Sequence, residues 1–236
     1  MRAIGLVHAA IAAVACGVGV YAQGVPTPEF QIPAIREPHH FVKLDNKYVR
    51  VLDVTVPGFD GTLFHIHENP YFWISIGAAT LRAVNLGSKD VVELDATDGQ
   101  VRYSPVVTHR VGNIVATAFR NITVQIQARD DLSPETSFMP TPKPVGYQAD
   151  VPLDNDLVRV ERLILQPGQS TGRYTLPKSG ILIAGHDGSI TLEAQGQSPR
   201  KIAMKAGDFE WHTGPETHII TNVGTTRWDA IEAVWK

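Results

Sequence analysis

The sequence predicts an all-β chain of two small barrels in tandem, and three observations carry that prediction. Short runs rich in Val, Ile, Thr and aromatic residues alternate with Gly, Pro, Asn and Asp, and no window keeps a helical period. One half of the chain repeats the other. A Pro-rich stretch between the copies can run neither as a helix nor as a central strand.

In the first copy the runs cover residues 49–56, 62–67, 71–76, 80–85, 101–103 and 121–127. Repeated short strands without helices imply a sandwich or barrel, and a jelly roll disposes of the edges such strands would expose. The repeat is legible in Asp45-Asn46-Lys47-Tyr48-Val49-Arg50-Val51, which recurs 109 residues later as Asp154-Asn155-Asp156-Leu157-Val158-Arg159-Val160. Each copy then gives an apolar run and a Pro-Gly turn, Pro57-Gly58 and Pro167-Gly168. Ala79-Thr80-Leu81 answers to Ile190-Thr191-Leu192, and both copies end in an Asn followed by a final strand. Self-similarity at one spacing marks a duplicated unit.

The 236 residues are 43% apolar and 19% charged, and at roughly 100–150 residues per domain the length suits two small domains. Net charge is −3, from 21 basic and 24 acidic residues interspersed without a basic cluster, which argues against a nucleic-acid partner. Residues 1–22 read as an export signal. Arg2 precedes an apolar run over residues 3–20, and Val20-Tyr21-Ala22 puts small residues where signal peptidase reads them, predicting cleavage after Ala22. The expected product is periplasmic or secreted and out of the membrane after cleavage. A lipoprotein site at Cys16 is the lesser alternative, because the apolar run continues past Cys16 and Ala13 stands where Leu is usual. Cys16 is the only cysteine, so cleavage removes disulfides, thiolate nucleophiles and thiolate metal sites together. The organisation expected is a signal at 1–22, a Pro-rich leader at 23–38 and a first barrel at 39–130. A Pro-rich linker at 131–152, with Pro134, Pro140, Pro142, Pro144 and Pro152, leads to a second barrel at 153–236.

Nine histidines occur. His65-Ile66-His67 falls in a β-run, and strand alternation puts its two imidazoles on one face about 6–7 Å apart along the chain. They can share one metal if another strand brings a third ligand, for which His109 is the candidate in this half. His39-His40 follows Pro38 and reads as exposed loop. Phe64, Tyr71, Phe72 and Trp73 surround the site as barrel core or as pocket lining. Gln125 and Gln127 share one face of a strand opposite Ile122, Val124 and Ile126, and solvent exposure is the simpler account of that face. No nucleophile-elbow motif is present.

On these residues the chain resembles the cupin family, as two cupin units covering nearly all of the mature sequence. Gly58, His65, His67 and Gly77 match the family's first motif. Gly99, Pro105, His109 and Asn113 match the second, with Val107 in place of its Gly and one residue missing before His109. The resemblance implies two tandem cupin-type jelly-roll barrels, a bicupin, with a mononuclear metal in the first. The family's Glu ligand falls at Phe72, which cannot coordinate. Glu68 points the opposite way from His67 on an ideal strand and becomes the fourth ligand only if a bulge near Asn69-Pro70 swings it in. The expected site is therefore His65, His67 and His109, holding one divalent transition metal. Fe, Cu, Zn, Mn and Ni all suit the donors. In the second copy His218 and Asn222 keep the second motif, but Arg173-Tyr174-Thr175-Leu176-Pro177 stands where His-x-His belongs. That barrel reads as a degenerate, metal-free partner, with His186 and His212 off the family's ligand positions.

The reading favoured is a metal-dependent, oxygenase-like enzyme on a small organic substrate. The alternatives kept open are a cupin isomerase or lyase and an exported, non-catalytic binder of a metal or small molecule such as a sugar. A homo-oligomer is left open.

Overall fold

The computed structural model describes residues 30–129 and 148–236; the expected signal peptide, the start of the leader and most of the linker lie outside them. The first half runs β1 (Gln31–Pro33), β2 (His40–Asp45), β3 (Val49–Val56), β4 (Phe64–His67), β5 (Tyr71–Ile76), β6 (Ala79–Asn85), β7 (Val92–Ala96), β8 (Val101–Ser104), β9 (Val107–Asn113) and β10 (Phe119–Ile126). The second runs β11 (Gln148–Asp154), β12 (Val158–Leu165), β13 (Tyr174–Leu176), β14 (Gly180–Ala184), β15 (Gly188–Ala194), β16 (Arg200–Met204), β17 (Phe209–His212), β18 (Glu216–Asn222) and β19 (Trp228–Trp235). One turn of 3₁₀ helix, Ala34–Arg36, is the only helix among the described residues, and none there is long and apolar enough to cross a membrane.

Each half is two facing sheets. The first has β1-β4-β9-β6-β7 over β2-β3-β10-β5-β8, and the second has β13-β18-β15-β16 over β11-β12-β19-β14-β17. The duplication extends to the turns. Asn46 Oδ1 accepts the amides of Tyr48 and Val49, and Asn155 Oδ1 accepts those of Leu157 and Val158. Asn113 Nδ2 donates to the carbonyls of Val56 and Thr117, as Asn222 Nδ2 does to those of Leu165 and Thr226. The Asn of the second motif is thus a backbone clamp in both barrels.

The barrels pack back to back. Val49, Val51, Phe72, Ile74, Ile122 and Val124 of one sheet form a single core with Val158, Val160, Ile181, Ile183, Ile231 and Trp235 of the other. Central strands β3, β5 and β10 are therefore buried on both faces, one toward the other barrel and one into their own. This corrects the exposure expected for Gln125. The apolar face of β10 is spent between the barrels, so Asn121, Thr123 and Gln125 point into the first barrel and are all buried. Phe72 likewise belongs to the inter-barrel core, while Tyr71 and Trp73 face inward.

The Pro-rich segments also differ from the expectation. Residues 31–33, within the expected leader, pair in parallel with Phe64–Ile66, and the linker's end at 148–152 is part of β11. Pro152 is tolerated there because β11 is an edge strand with a register shift between Asp150 and Leu153.

Candidate metal centre

Strand β4 reads Phe-His-Ile-His, and alternation turns His65 and His67 into the barrel. Antiparallel pairing places His109 of β9 directly across from His65. A fourth imidazole comes from an unexpected place. The 3₁₀ turn reverses the chain after β1, and β2 then opens on His40, which is buried and paired with Val54. Ring centroids lie 4.6 Å apart for His40–His65 and His65–His109, 4.9 Å for His65–His67 and 5.3 Å for His67–His109. The ligating nitrogens of His40, His65 and His67 all fall within 4.8 Å of one another.

His40, His65 and His67 are each oriented by a partner at the far side of the ring. Glu37, buried under the turn, accepts from His40 Nδ1 at 2.6 Å and His39 Nδ1 at 3.0 Å, and from the amides of His39 and Leu63. Burial alone would raise the Glu37 carboxyl, but the hydrogen bonds from His40 and His39 outweigh it and hold the group near about 2. His65 Nδ1 donates to the Leu63 carbonyl at 2.9 Å, which leaves its Nε2 lone pair facing the cluster, 3.1 Å from His67 Nε2. His67 stacks on Tyr71, centroids 4.1 Å apart, and its Nδ1 meets the Gln125 amide at 3.0 Å. Burial lowers His65 to about 4 and His109 to about 3, and pushes His67 lower still. These imidazoles are neutral at physiological pH and their lone pairs are available.

The arrangement fits a transition metal. Metal–nitrogen bonds of about 2.1 Å require donors roughly 3 Å apart, and neutral imidazole is the form that binds. Gln125 supplies a second sign of fit: its buried Oε1 has no partner. Amide nitrogen and oxygen exchange places by a simple turn, and with Oε1 on His67 Nδ1–H the His67 Nε2 lone pair is freed for a metal. The carboxylate and amide behind these rings are the outer partners that fix ligand tautomers at metal sites.

The cluster lines a cavity of about 240 Å³. Val54, Trp73, Leu81, Leu94, Val111 and Phe119 give it apolar walls, while Thr62, Arg102, Ser104, Asn121 and Thr123 supply polar atoms. The expected residues divide. His65, His67 and His109 are brought together, and Tyr71 and Trp73 line the cavity. Phe64 is buried outside it under Arg110, 4.9 Å from its ring, and Phe72 is inter-barrel core. Glu68 is exposed and apart from the cluster, because β4 keeps its alternation through His67 and no bulge turns the carboxylate inward. His40 corrects the exposed-loop reading. Its sequence signal, Glu37-x-x-His40, was masked by the surrounding prolines.

The second barrel fills the corresponding space with its own side chains. Tyr174 pairs with His218 across β13 and β18 as His65 pairs with His109 across β4 and β9. The Tyr174 hydroxyl lies 2.7 Å from His218 Nε2 and 2.9 Å from Glu232 Oε1, and His218 Nδ1 lies 2.8 Å from Glu216 Oε1. Burial opposes the charge on His218, yet the bonds to Glu216 and Glu232 raise it to about 9. His212 stays 6.5 Å from the His218 ring, and His186 lies at the surface on Asp98. Asn222 is the backbone clamp already described.

No family profile and no curated protein matches the sequence. Solved structures do match in fold. AerE from Microcystis aeruginosa has a TM-score of 0.57 at 9% identity, over 85% of this chain and 98% of that one. Oxalate decarboxylase of Bacillus subtilis, a protein with Mn(II) centres, scores 0.57 at 11% identity over 80% and 69%. Salicylate 1,2-dioxygenase of Pseudaminobacter salicylatoxidans scores 0.55 at 14% identity over 80% and 71%. With two such barrels back to back, the chain has the bicupin fold.

Proposed function

We propose that this chain is a metal-dependent enzyme acting on a small organic molecule, with oxygenase chemistry the best supported. The observation that carries the reading is the position of the imidazoles: clustered on the wall of a cavity with room for a small substrate, with His65, His67 and His109 held neutral. A purely structural metal would be sealed. His65, His67 and His109 with His40 are the ligands, and Glu37, Gln125 and the Leu63 carbonyl orient them. A divalent transition metal bound there would supply a Lewis acid and a template for substrate oxygens and O₂. The walls of Trp73, Phe119 and Leu81 exclude water, and Tyr71, pushed up to about 12 by burial, keeps its proton and serves as a stacking wall for His67. Among the solved structures similar in fold, one is a dioxygenase and one carries Mn(II).

The test is metal analysis of the purified protein, then O₂ consumption by Fe(II)-, Mn(II)- and Cu(II)-loaded forms over diketones, phenols and sugar acids. Stoichiometric metal lost in His65→Ala and His109→Ala variants, together with uptake on one substrate class, is expected. Protein with no transition metal affinity overturns the reading. A second reading, a non-catalytic binder, rests on the cluster holding no carboxylate free to act as a base, since Glu37 is engaged four times. Metal and ligand binding without turnover would favour it. We also propose export with cleavage after Ala22, which N-terminal sequencing of the mature protein checks.

A further inference from the structure

We propose that Arg102 is the anchor for a carboxylate on the ligand of the first-barrel cavity, whose ligand class is a small monocarboxylic acid with an aromatic or branched apolar body. The proposal rests on the reading of this cavity as a substrate site.

Strand register orders the cavity wall in layers. Tyr71 lies opposite both Gln125 and Ser104, and this is the layer of His67, which contacts Tyr71 and Gln125, while His40 lies opposite Val54 and so in the layer of Asn121. Two residues along β5, Trp73 lies opposite Thr123 and Arg102. A step of two residues on a strand is about 7 Å, so the Arg102 stem starts one layer from His67 and between it and the layer of His40.

Charge selects the ligand. Arg50, Arg82, Arg120, Arg159, Arg200 and Arg227 are each held by a carboxylate. Arg102 lines the cavity and makes no ion pair or hydrogen bond with any described residue. No Asp or Glu lines the cavity, so nothing there opposes an anion. Thr123 Oγ1 donates to Asn121 Oδ1 at 2.7 Å, which leaves the Asn121 amide nitrogen as a second donor toward the cavity. Beside these donors the cavity wall is apolar: Trp73, edge-on to Phe119 at 5.8 Å, with Leu81, Leu94 and Val54. A planar guanidinium suits a carboxylate bidentately, and the apolar middle suits a hydrocarbon body.

Titration calorimetry with benzoate, cinnamate and 3-methylbutanoate, and with benzamide as the uncharged counterpart, tests this on Zn(II)-loaded protein and on metal-free protein. Wild type is expected to bind at least one acid and to prefer benzoate to benzamide. Arg102→Gln should lose about tenfold or more of the acid affinity while benzamide is unchanged, and Arg102→Lys should recover part of the loss. Arg102 is exposed and unpaired, so an unchanged melting temperature shows that the variants fold. Acid binding unchanged in Arg102→Gln, equal binding of benzoate and benzamide, or no binding of any of the acids overturns the proposal. Zn(II) is redox-inert, so Arg102-dependent binding without O₂ consumption by the Fe(II) form sinks the oxygenase reading alone. O₂ consumption that ignores Arg102 sinks the anchor alone.

Discussion

Glu37 is the residue that orients His40, one of the four imidazoles. Its carboxylate is buried, accepts four hydrogen bonds and holds His40 Nδ1, so the His40 Nε2 is presented to the cluster. Outer partners of this kind typically govern metal affinity by 10–100-fold, and Glu37→Gln is expected to weaken binding by about that factor. Competition against a chelator of known affinity checks it, and an unchanged dissociation constant would show that Glu37 only ties the turn to the barrel. Because its folded-state pKa is depressed to about 2, Glu37 stabilises the fold above its ordinary value near 4.5 and loses that contribution as pH falls toward 2. Gln125 permits a sharper separation of stability from metal binding. One end of its buried amide has no partner in either orientation, so Gln125→Leu removes an unsatisfied polar atom together with one bond to His67. The metal-free variant should melt at or above the wild-type temperature while binding metal more weakly; tighter binding would refute the assigned role.

At the scale of strands, the parity of β5 and β10 decides which residues reach the site, and here the sequence could mislead. The alternation Ile122, Val124, Ile126 against Asn121, Thr123, Gln125 is plain, but its apolar face belongs to the inter-barrel core and its polar face to the barrel interior. A one-barrel reading inverts the two and sends Gln125 to solvent. The β-strands, the repeat and the convergence of β4 with β9 were legible because they rest on local pattern and fixed spacing. His40 and Glu37 were not, since a Pro-rich stretch gives no sign that it will pair with β4. In the second barrel, β13 and β18 show what replaced the histidines: Tyr174, His218, Glu216 and Glu232 form a closed network. His218 is raised to about 9 by its two carboxylates, despite burial. Between its ordinary value near 6.5 and about 9, the folded protein holds a proton that the unfolded chain releases. Stability from this source is complete below 6.5 and drains as pH rises through 9. The melting temperature should therefore fall between about pH 7 and pH 9.5 more steeply in wild type than in a His218→Gln/Glu232→Gln double variant, which leaves no buried carboxylate stranded. Equal slopes would place the proton elsewhere.

Over the whole molecule, the two barrels exchange supports across a common core. Arg162 of the second barrel donates to the Gly99 carbonyl of the first, and Arg120 of the first donates to the Ala206 carbonyl of the second. Both arginines lie against turn glycines with positive φ, Gly99 at 70° and Gly207 at 88°, where an added Cβ would stand 3.0 Å and 2.7 Å from the guanidinium. Between these straps lies the shared hydrophobic core, which joins the separate interior clusters that each barrel has of its own. Trp235 tests this coupling cleanly. It is fully buried in the shared core, meets Trp211 edge-on at 5.1 Å, and its Nε1 has no hydrogen-bond partner to lose. Trp235→Ala should cost about 3–5 kcal/mol, as aromatic truncations in cores do. Because the void left by the truncation lies in the core between the barrels, the loss should lower one cooperative transition that carries both halves. Thermal unfolding followed by calorimetry and by release of metal from the first barrel would show the two signals moving down together. If metal release held its wild-type temperature while a separate, earlier transition appeared for the second barrel, the barrels would be independent units joined by contact alone, and the shared core would not be what stabilises the histidine site.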